Sequence, residues 1–502
     1  MAGRDLERSI EWEGLQTPFV VEHWATLPCP PFMSGAHKLT ISRDESFDLR
    51  LVAEGVIADG GEEFRSRREA ERELALGTFV EPHDVVLSGP FESQISLLAH
   101  VESVPNVSFG TRERPRFAQH GFVSRFRRQH TTRFDFRGGL DAIKPAPVGA
   151  VAWRSDWFIN GPESFVGGRW TKRRRVATFT RDREIGGVST LEAPSGGGSA
   201  DHCLVDAGRV RFSFSRVPQC IAPDWCRAFS IDYAAPLPDD DTRDGVAELV
   251  SFVVGRRLMP IGSTTFDEEG WAVEEEAWNP WGQDVERICR RPDSAPLPSD
   301  PANVEDVLAR LVPLYLELRQ SLHLQDALLS YWLADEAFSG IDLTIYASAL
   351  EALKQPWLKS KSRSLGQYMP EAEFKERLSV QLQALKERID ELQLPLAIMN
   401  KMNAAWRMGA NEQLAAFLDE LPVRIGPAEK RAIKARNAPT HGGLKAGADF
   451  RALTRHAHAY RVLFVRSFLK VLGYDGAYVD RVALGHPSRH SDEPAGGEGP
   501  AR

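Results

Sequence analysis

The chain has 502 residues and a formal net charge of −8, with 42% hydrophobic and 26% charged residues, so we expect several globular domains of ordinary size. The negative balance excludes a general attraction for nucleic acid, and any such contact would need a local basic surface. Five scattered cysteines argue against a disulfide scaffold, and the lack of an apolar run of ~20 residues argues against a membrane span, so we expect a soluble cytoplasmic protein.

Residues 1–290 contain the short alternating segments that are typical of β-strands. Phe47–Leu51 and Val210–Ser215 each alternate apolar with polar residues, as half-buried strands do. Paired glycines between such segments indicate turns. One amphipathic helix, Asp244–Leu258, interrupts the pattern, and no glycine-rich phosphate loop is present. We therefore predict a β-rich N-terminal domain over residues 1–290 and not a nucleotide-binding α/β unit.

A proline-rich linker, residues 291–301, separates this region from a helical one. The linker ends at Asp300-Pro301, a pair that favours a helix start. From residue 302 to residue 484 the apolar spacing is helical almost throughout. Ile341–Leu353 is apolar nearly all round, which predicts a central buried helix, while Phe374–Leu392 has the charge pattern of a surface helix. Short connections between such helices favour an up-and-down bundle.

The last long helix is predicted from a continuous apolar stripe. Its members are Phe450, Leu453, Ala457, Tyr460, Phe464 and Phe468. Residues 485–502 are rich in His, Ser, Gly, Pro and charge, and we expect them to form a disordered tail. The fold class predicted for the whole chain is α+β, with a β-rich N-terminal half followed by an all-α helical bundle.

One hexapeptide between two helical segments combines the residue types of an acid–base site, Arg436-Asn437-Ala438-Pro439-Thr440-His441. The same Arg-to-His spacing occurs elsewhere, so spacing alone selects none of the copies. The other copies are Arg125 to His130, Arg451 to His456 and Arg481 to His486. The hexapeptide differs from them because an asparagine follows the arginine directly, two glycines follow the histidine, and the segment lies between helices.

These residue types suit chemistry on a phosphodiester. His441 titrates near neutral pH and can take a proton from a ribose 2′-hydroxyl. The Arg436 guanidinium offers a planar fork to the phosphate oxygens, on which negative charge grows during attack. Asn437 would position the histidine or the phosphate, and this chemistry requires no metal. The alternative, on spacing alone, is a solvated helix start that carries an ordinary arginine and histidine.

Glu351 interrupts the most apolar helix, in the segment Ala-Leu-Glu-Ala-Leu. A carboxylate in such surroundings is costly unless it is paired. One interpretation is that it orients Arg436 or His441, which makes it a fourth candidate site residue. The other is that it lies at the helix edge beside Lys354 and reaches solvent.

Two histidines on the last helix, His456 and His458, lie among arginines. Residues two apart on a helix face different sides, which argues against a metal pair and favours a basic helix face. No metal-ligand spacing and no cofactor-binding loop is evident elsewhere in the sequence. We therefore predict that the protein uses no metal and no cofactor.

The C-terminal motif and its setting resemble the HEPN superfamily (higher eukaryotes and prokaryotes nucleotide-binding domain). The signature of arginine, a polar residue that is often asparagine, several residues and then histidine matches Arg436-Asn437 and His441, ahead of the last long helix. The segment around Glu351 resembles the acidic position on an earlier helix of these domains. The combination with a β-rich N-terminal half resembles the ApeA family of bacterial anti-phage proteins.

This resemblance implies that residues 302–484 form a HEPN-like bundle and act as a metal-independent endoribonuclease. It implies RNA as the substrate and a homodimer whose site takes an Arg–His set from each protomer. It also implies a toxin-like role in abortive infection, in which the N-terminal domain responds to a phage-derived trigger and no membrane is involved. The alternative is a non-catalytic protein that dimerises through the bundle and recognises a phage or nucleic-acid ligand.

Overall fold

The described part of the chain combines an antiparallel sheet in its middle with nine helices from residue 240 onward, so its content is mixed α and β. The computed structural model describes the strands given below, single residues near them, and the longer stretches 150–162, 200–217, 226–268, 294–298, 301–337, 341–360, 367–436 and 450–496. The predicted combination of a sheet with a helical region is confirmed. The prediction that all of residues 1–290 is β-rich includes many residues outside the described part and stays a prediction.

Most of the described strands precede residue 280. In chain order they are β1 (Phe19–Glu22), β2 (Ala36–Arg43), β3 (Leu49–Gly55), β4 (His83–Ser88), β5 (Gln94–Ala99), β6 (Asn106–Gly110), β7 (Arg133–Gly139), β8 (Ala142–Pro145), β9 (Trp153–Phe158), β10 (Arg169–Trp170), β11 (Thr178–Asp182), β12 (Val188–Glu192), β13 (Ala200–Asp206), β14 (Arg211–Arg216), β15 (Phe229–Ala234), β16 (Pro260–Phe266), β17 (Ala272–Trp278), β18 (Ala477–Val479) and β19 (Ser488–His490). The predicted strand at 210–215 is β14, whereas Phe47 has a positive φ of 65° and precedes β3.

Ten of these strands form one sheet, in the spatial order β10-β13-β14-β15-β9-β16-β17-β8-β5-β4. Five others form a second sheet in the order β1-β2-β3-β7-β6. Neighbouring strands of the larger sheet pair antiparallel. Strand β9 lies inside the larger sheet, between β15 and β16, and all six of its residues are buried.

The larger sheet carries a row of buried polar side chains across four neighbouring strands. Ser213, Asp232, Ser155 and Thr264 lie directly opposite one another on β14, β15, β9 and β16. The Asp232 carboxylate accepts hydrogen bonds from Ser155 Oγ at 2.6 Å and from Ser213 Oγ at 3.3 Å. Such donors are needed because a buried carboxylate is otherwise costly. Polar contacts therefore help to fix the register of these strands.

The helices follow one another from Asp240 to Val471. In chain order they are α1 (Asp240–Val254), α2 (Pro301–Arg319), α3 (Leu324–Glu336), α4 (Asp342–Ser360), α5 (Glu371–Glu391), α6 (Leu396–Asn403), α7 (Ala410–Glu420), α8 (Pro427–Ala435) and α9 (Phe450–Val471). Among these described helices, none is both long enough and apolar enough to cross a membrane.

Several helix predictions are confirmed. Helix α2 begins at Pro301, as its position after an aspartate predicts. The central and surface helices predicted at 341–353 and 374–392 are α4 and α5. Helix α5 buries only Phe374 and Ile389, in agreement with its charge pattern.

Helix α1 begins and ends before the predicted bounds Asp244–Leu258. It stops at Val254 because Gly255 has a positive φ of 74°, a conformation that favours glycine. A Cβ at Gly255 would lie 2.0 Å from the backbone nitrogen of Ala295, so this turn has no space for a side chain. Leu258 continues the apolar spacing in the sequence, but it lies after the turn and outside the helix.

The chain divides into two compact units. The first consists of Met1–Asp240, Arg256–Asp293 and Pro301–Asp306, and the second, the helical unit, consists of Asp241–Gly255, Ser294–Asp300 and Val307–Arg502. Helix α1 thus belongs with the later helices although it is encoded between strands β15 and β16. The predicted domain boundaries at 1–290, 291–301, 302–484 and 485–502 stay a prediction.

The core of the helical unit is formed around aromatic side chains of α9. Phe468 contacts Phe252 of α1, with ring centroids 4.7 Å apart. Phe464 stacks on Tyr331 of α3 at 5.0 Å and lies 5.9 Å from Phe468. These residues are fully buried or nearly so. The predicted apolar stripe of the last helix is therefore the face that packs in the core, except at its exposed first member, Phe450.

Parts of the predicted linker and of the predicted tail belong to the helical unit. Within the predicted linker, Ser294 and Leu297 are buried in the helical unit, and Ser294 Oγ donates a hydrogen bond to Gly255 O at 3.1 Å. Within the predicted disordered tail, β19 pairs antiparallel with β18, and Ser491 and Ala495 are buried. The composition of this segment does not predict its hairpin, because strands of three residues are too short to show an apolar period. It also does not predict the burial of Ser491, because serine is a polar residue.

The aromatic core gives a stability prediction. We expect Phe468→Ala to lower the free energy of unfolding by about 3–5 kcal/mol, because it removes a fully buried ring and leaves a cavity. The matched control is Val380→Ala on α5, where the side chain is 76% exposed and the expected change is within about 0.5 kcal/mol. Urea unfolding followed by helical circular dichroism measures both, and similar effects of the two variants would contradict this description of the core.

Candidate functional site

Helix α8 ends directly before Arg436, the first residue of the predicted motif. The start of the helix is fixed by Pro427 in its first position and by Glu429, whose Oε2 accepts a hydrogen bond from Gly426 N at 2.7 Å. Arg436 keeps helical backbone angles at the C-cap, with φ −53° and ψ −31°. The motif therefore begins where the backbone leaves a short helix with a well-capped start.

The Arg436 side chain points into the helical unit and is only 8% exposed. Its Nη1 donates to the hydroxyl of Tyr460 on α9 at 3.5 Å, and Tyr460 is fully buried. The backbone oxygen of Arg436 accepts a hydrogen bond of 3.5 Å from Thr344 Oγ1 on α4. Three helices, α4, α8 and α9, thus meet at this arginine.

Three other buried arginines of the helical unit differ from Arg436 in their partners, because each of the three pairs with a carboxylate. These pairs, with N–O distances of 2.7, 3.0 and 2.6 Å, are Arg319–Glu248, Arg461–Asp335 and Arg466–Glu429. Among the described residues, the Arg436 guanidinium contacts a phenol hydroxyl and no carboxylate. Its charge is therefore not paired with a described carboxylate, in contrast to those of these three arginines.

Glu351 lies on α4 and pairs with Lys354 in the next turn. Lys354 Nζ is 2.6 Å from Glu351 Oε2, the lysine side chain is 0% exposed and the glutamate side chain is 37% exposed. Gln355 Nε2 also contacts Glu351 Oε2, at 3.5 Å. This arrangement matches the interpretation in which Glu351 lies at the helix edge beside Lys354 and reaches solvent in part.

Arg436 and Glu351 both influence the pKa of Tyr460. Burial is the main cause that raises the pKa of Tyr460 above that of an ordinary tyrosine; Arg436 opposes the rise and Glu351 adds to it. Both charged groups therefore lie near this hydroxyl. The structure brings two of the four predicted site residues into the surroundings of one phenol.

The other two predicted site residues, Asn437 and His441, lie in the segment 437–449, outside the described residues. The structure therefore gives geometry for Arg436 and Glu351 alone. The catalytic roles predicted for all four residues stay predictions.

One group of described side chains has the types and the closeness of metal ligands. It consists of Asp475, His490 and Asp492, whose ligand atoms lie within 4.8 Å of one another. The Lys470 ammonium lies between the carboxylates, 2.6 Å from Asp492 Oδ1 and 2.8 Å from Asp475 Oδ1. A metal ion would have to displace this internal cation, and we assign no metal to the group.

Sequence reasoning missed the polar partners of the candidate residues. The apolar stripe predicts a buried Tyr460, which is correct, but it does not show that the hydroxyl faces Arg436. A tyrosine among phenylalanines and alanines on a core-facing stripe is the available signal, because a buried phenol usually needs a hydrogen-bond partner. The burial of Lys354 had no signal in the sequence, since its neighbours on α4 include polar residues.

No family model, no curated protein and no solved structure matches the chain. The interpretation of the site therefore depends on the chemistry of the described residues and on the motif itself. The most informative of these residues is Arg436, because it is buried and has no described carboxylate partner.

The Glu351–Lys354 pair gives a second stability prediction. Glu351→Gln leaves the buried ammonium without its carboxylate, and we expect a loss of about 1 kcal/mol in the free energy of unfolding. Adding Lys354→Met should recover most of this loss, because an apolar side chain of similar volume removes the buried charge.

The control for this experiment is Glu371→Gln on α5. Glu371 pairs with Lys375 in a solvent-exposed position, where we expect no measurable loss of stability. Urea unfolding of the four proteins measures the effects. If Glu351→Gln were as neutral as Glu371→Gln, the pair would not compensate the burial of Lys354.

Proposed function

We propose that this chain is a metal-independent endoribonuclease of the HEPN type and an ApeA-like effector of abortive infection. The observation that carries the proposal is Arg436, which is 8% exposed at the end of α8 and whose described side-chain partner is a phenol. A cation held away from water without a carboxylate costs stability, so a gain in function is the reason to keep it. A phosphodiester is the anion that fits the planar guanidinium.

In the proposed reaction the substrate RNA supplies the nucleophile. The His441 imidazole accepts the proton of a ribose 2′-hydroxyl, and the 2′-oxygen forms a bond to the adjacent phosphorus. The bond from phosphorus to the 5′-oxygen breaks, and that oxygen leaves with a proton donated by an imidazolium. The products are a 2′,3′-cyclic phosphate and a 5′-hydroxyl. Arg436 stabilises the charge on the non-bridging oxygens, and Asn437 and Glu351 orient the reacting groups.

The proposal extends to the organisation of the protein. A HEPN-like bundle over residues 302–484 forms a homodimer in the cytoplasm, with an Arg–His set from each protomer. The β-rich region, residues 1–290, restrains the nuclease and responds to a phage-derived trigger. The division of the chain into two compact units supports such a separation of tasks.

The central test is cleavage of cellular RNA by the purified protein. We expect His441→Ala to slow cleavage by about 10²–10⁴-fold, because the variant loses its acid–base group, and we expect chelator to have no effect on the wild-type protein. The matched control is His456→Ala, since Arg451 and His456 repeat the same spacing on α9. This control should cleave RNA as fast as the wild-type protein.

Three other outcomes would contradict the assignment. Equal cleavage by His441→Ala and wild-type protein would remove the histidine from the reaction. Loss of cleavage on addition of chelator would indicate a metal nuclease. Binding of RNA that depends on Arg436 but yields no product would favour the alternative function, a non-catalytic protein that recognises nucleic acid.

The composite homodimer gives a separate prediction. Sedimentation should give twice the 56.0 kDa mass of one chain. Co-expression of Arg436→Ala and His441→Ala chains should yield heterodimers that cleave RNA faster than either variant alone, because their shared site keeps one arginine and one histidine. A monomeric mass, or no gain of activity in the purified heterodimer, would contradict a site shared between protomers.

A further inference from the structure

Residues 474–496, the C-terminal strap, pack on the start of helix α8. A Cβ on Gly426, the residue before α8, would lie 2.9 Å from Pro494 Cβ, so the strap is in direct contact with this turn. The strap is also held to itself, because Tyr478 Oη donates to Glu493 O at 3.0 Å and Gly496 N donates to Asp480 Oδ2 at 2.8 Å. Its path is therefore fixed by specific hydrogen bonds.

A fully buried ion pair joins the strap, α8 and α9. Arg466 of α9 and Glu429 of α8 have 0% exposed side chains, and Arg466 Nη1 is 2.6 Å from Glu429 Oε1. The same guanidinium donates from Nε to Ser491 O of the strap at 3.0 Å, and from Nη2 to Arg424 O at 2.9 Å. One side chain thus binds the first turn of α8, the segment before it and the strap.

We propose that Glu429 and Arg466, together with the strap, are positioning elements for Arg436. This inference rests on the proposed ribonuclease function. Glu429 and Arg436 are seven residues apart on helix α8, so at 1.5 Å per residue the helix spans about 10 Å between the ion pair and the arginine. A helix this short is rigid, so fixing its first turn fixes the place where Arg436 leaves its last turn.

The chemistry of the pair supports positioning over simple stabilisation. An apolar pair of similar volume at a buried site is often as stable as an ion pair, so stability alone does not require these charges. Directional bonds from one guanidinium to three acceptors define the axial position and the rotation of α8 on α9. Apolar contacts define these two quantities less strictly, since they have no fixed direction.

The contact between Gly426 and Pro494 allows a test that leaves every charge in place. Gly426 has φ −92° and ψ 179°, which alanine adopts readily, so Gly426→Ala acts through the clash of its Cβ with Pro494. The second variant, Gly426→Ala with Pro494→Gly, removes the obstacle. Pro494→Gly alone is the control. A fourth variant, Glu429→Gln, breaks the ion pair directly.

Hydrogen exchange of the full-length proteins measures the position of α8 without any assumption about activity. In Gly426→Ala we expect the amides of residues 428–436 to exchange about tenfold faster, while the amides at the centre of α9 and the thermal midpoint change little. In Glu429→Gln the same amides should also exchange faster, but the thermal midpoint should fall, because the buried Arg466 charge loses its carboxylate. The double variant should return to the wild-type exchange rate. Unchanged exchange in a folded Gly426→Ala protein would overturn the role of the strap.

RNA cleavage then tests the link to Arg436. We expect kcat to fall about tenfold or more in Gly426→Ala, with a smaller change in KM, because a misplaced guanidinium fails mainly in the transition state. The double variant should recover kcat. Faster exchange of α8 with an unchanged kcat would overturn the positioning role, although the protein would still be a ribonuclease.

The result that would contradict the proposed ribonuclease function differs from the result that would contradict the role of the strap. If the wild-type protein does not cleave RNA, the proposed ribonuclease is wrong whatever the variants show. The amide exchange of residues 428–436 then decides by itself whether the strap holds α8. Rescue of that exchange by Pro494→Gly supports the strap, and its absence overturns it.

Discussion

The structure of the helical unit depends on the ion pair between Arg466 and Glu429. Both side chains are completely buried, and each charge would cost several kcal/mol without compensation. Compensation is nearly complete: Gly426 N and Arg466 Nη1 contact the carboxylate, and the guanidinium also reaches backbone oxygens of Ser491 and Arg424. Burial raises the pKa of Glu429, and the Arg466 charge opposes the rise. The first turn of α8 and the C-terminal strap are thereby both bound to Arg466 of α9.

Arg436 lies at the other end of α8 and differs from Arg466 in its partner, which is a phenol hydroxyl and not a carboxylate. Its burial resembles that of Arg466, yet its described side-chain partner, Tyr460, carries no charge at neutral pH. A helix that is strongly held at its start can present such a destabilising cation at its end, because the cost is offset elsewhere in the same unit. The Arg466–Glu429 pair and Arg436, which contacts no described carboxylate, therefore lie at the two ends of one short helix.

The helical spacing of apolar residues predicts many of the helices and core residues of this unit, but it does not predict contacts between residues that are distant in sequence. Phe464 and Phe468 follow the 3.6-residue period and lie in the core, and Pro301 begins a helix. Arg466 lies two residues from Phe468 on the same helix, and no periodic rule shows that a charge there is buried, since its partner is 37 residues away in sequence. The sequence also does not predict the hairpin of β18 and β19, because strands of three residues are stabilised by tertiary contacts and not by their own pattern.

For the candidate site, the sequence identifies Arg436 and Glu351, but it does not show that both act on the pKa of Tyr460.

The backbone also distinguishes the copies of the Arg-to-His spacing that the sequence alone leaves equal. Arg451 and His456 both lie within α9, where five residues correspond to a rotation of about 140°, so their side chains diverge. Arg481 lies in the strap and donates from Nη2 to Ala295 O at 3.2 Å, which gives it a structural role. Among these arginines, Arg436 is the one that stands at a helix end, as the C-cap of α8. Convergence of an arginine with a histidine five positions later requires such an end, because a continuous helix turns the two side chains away from each other.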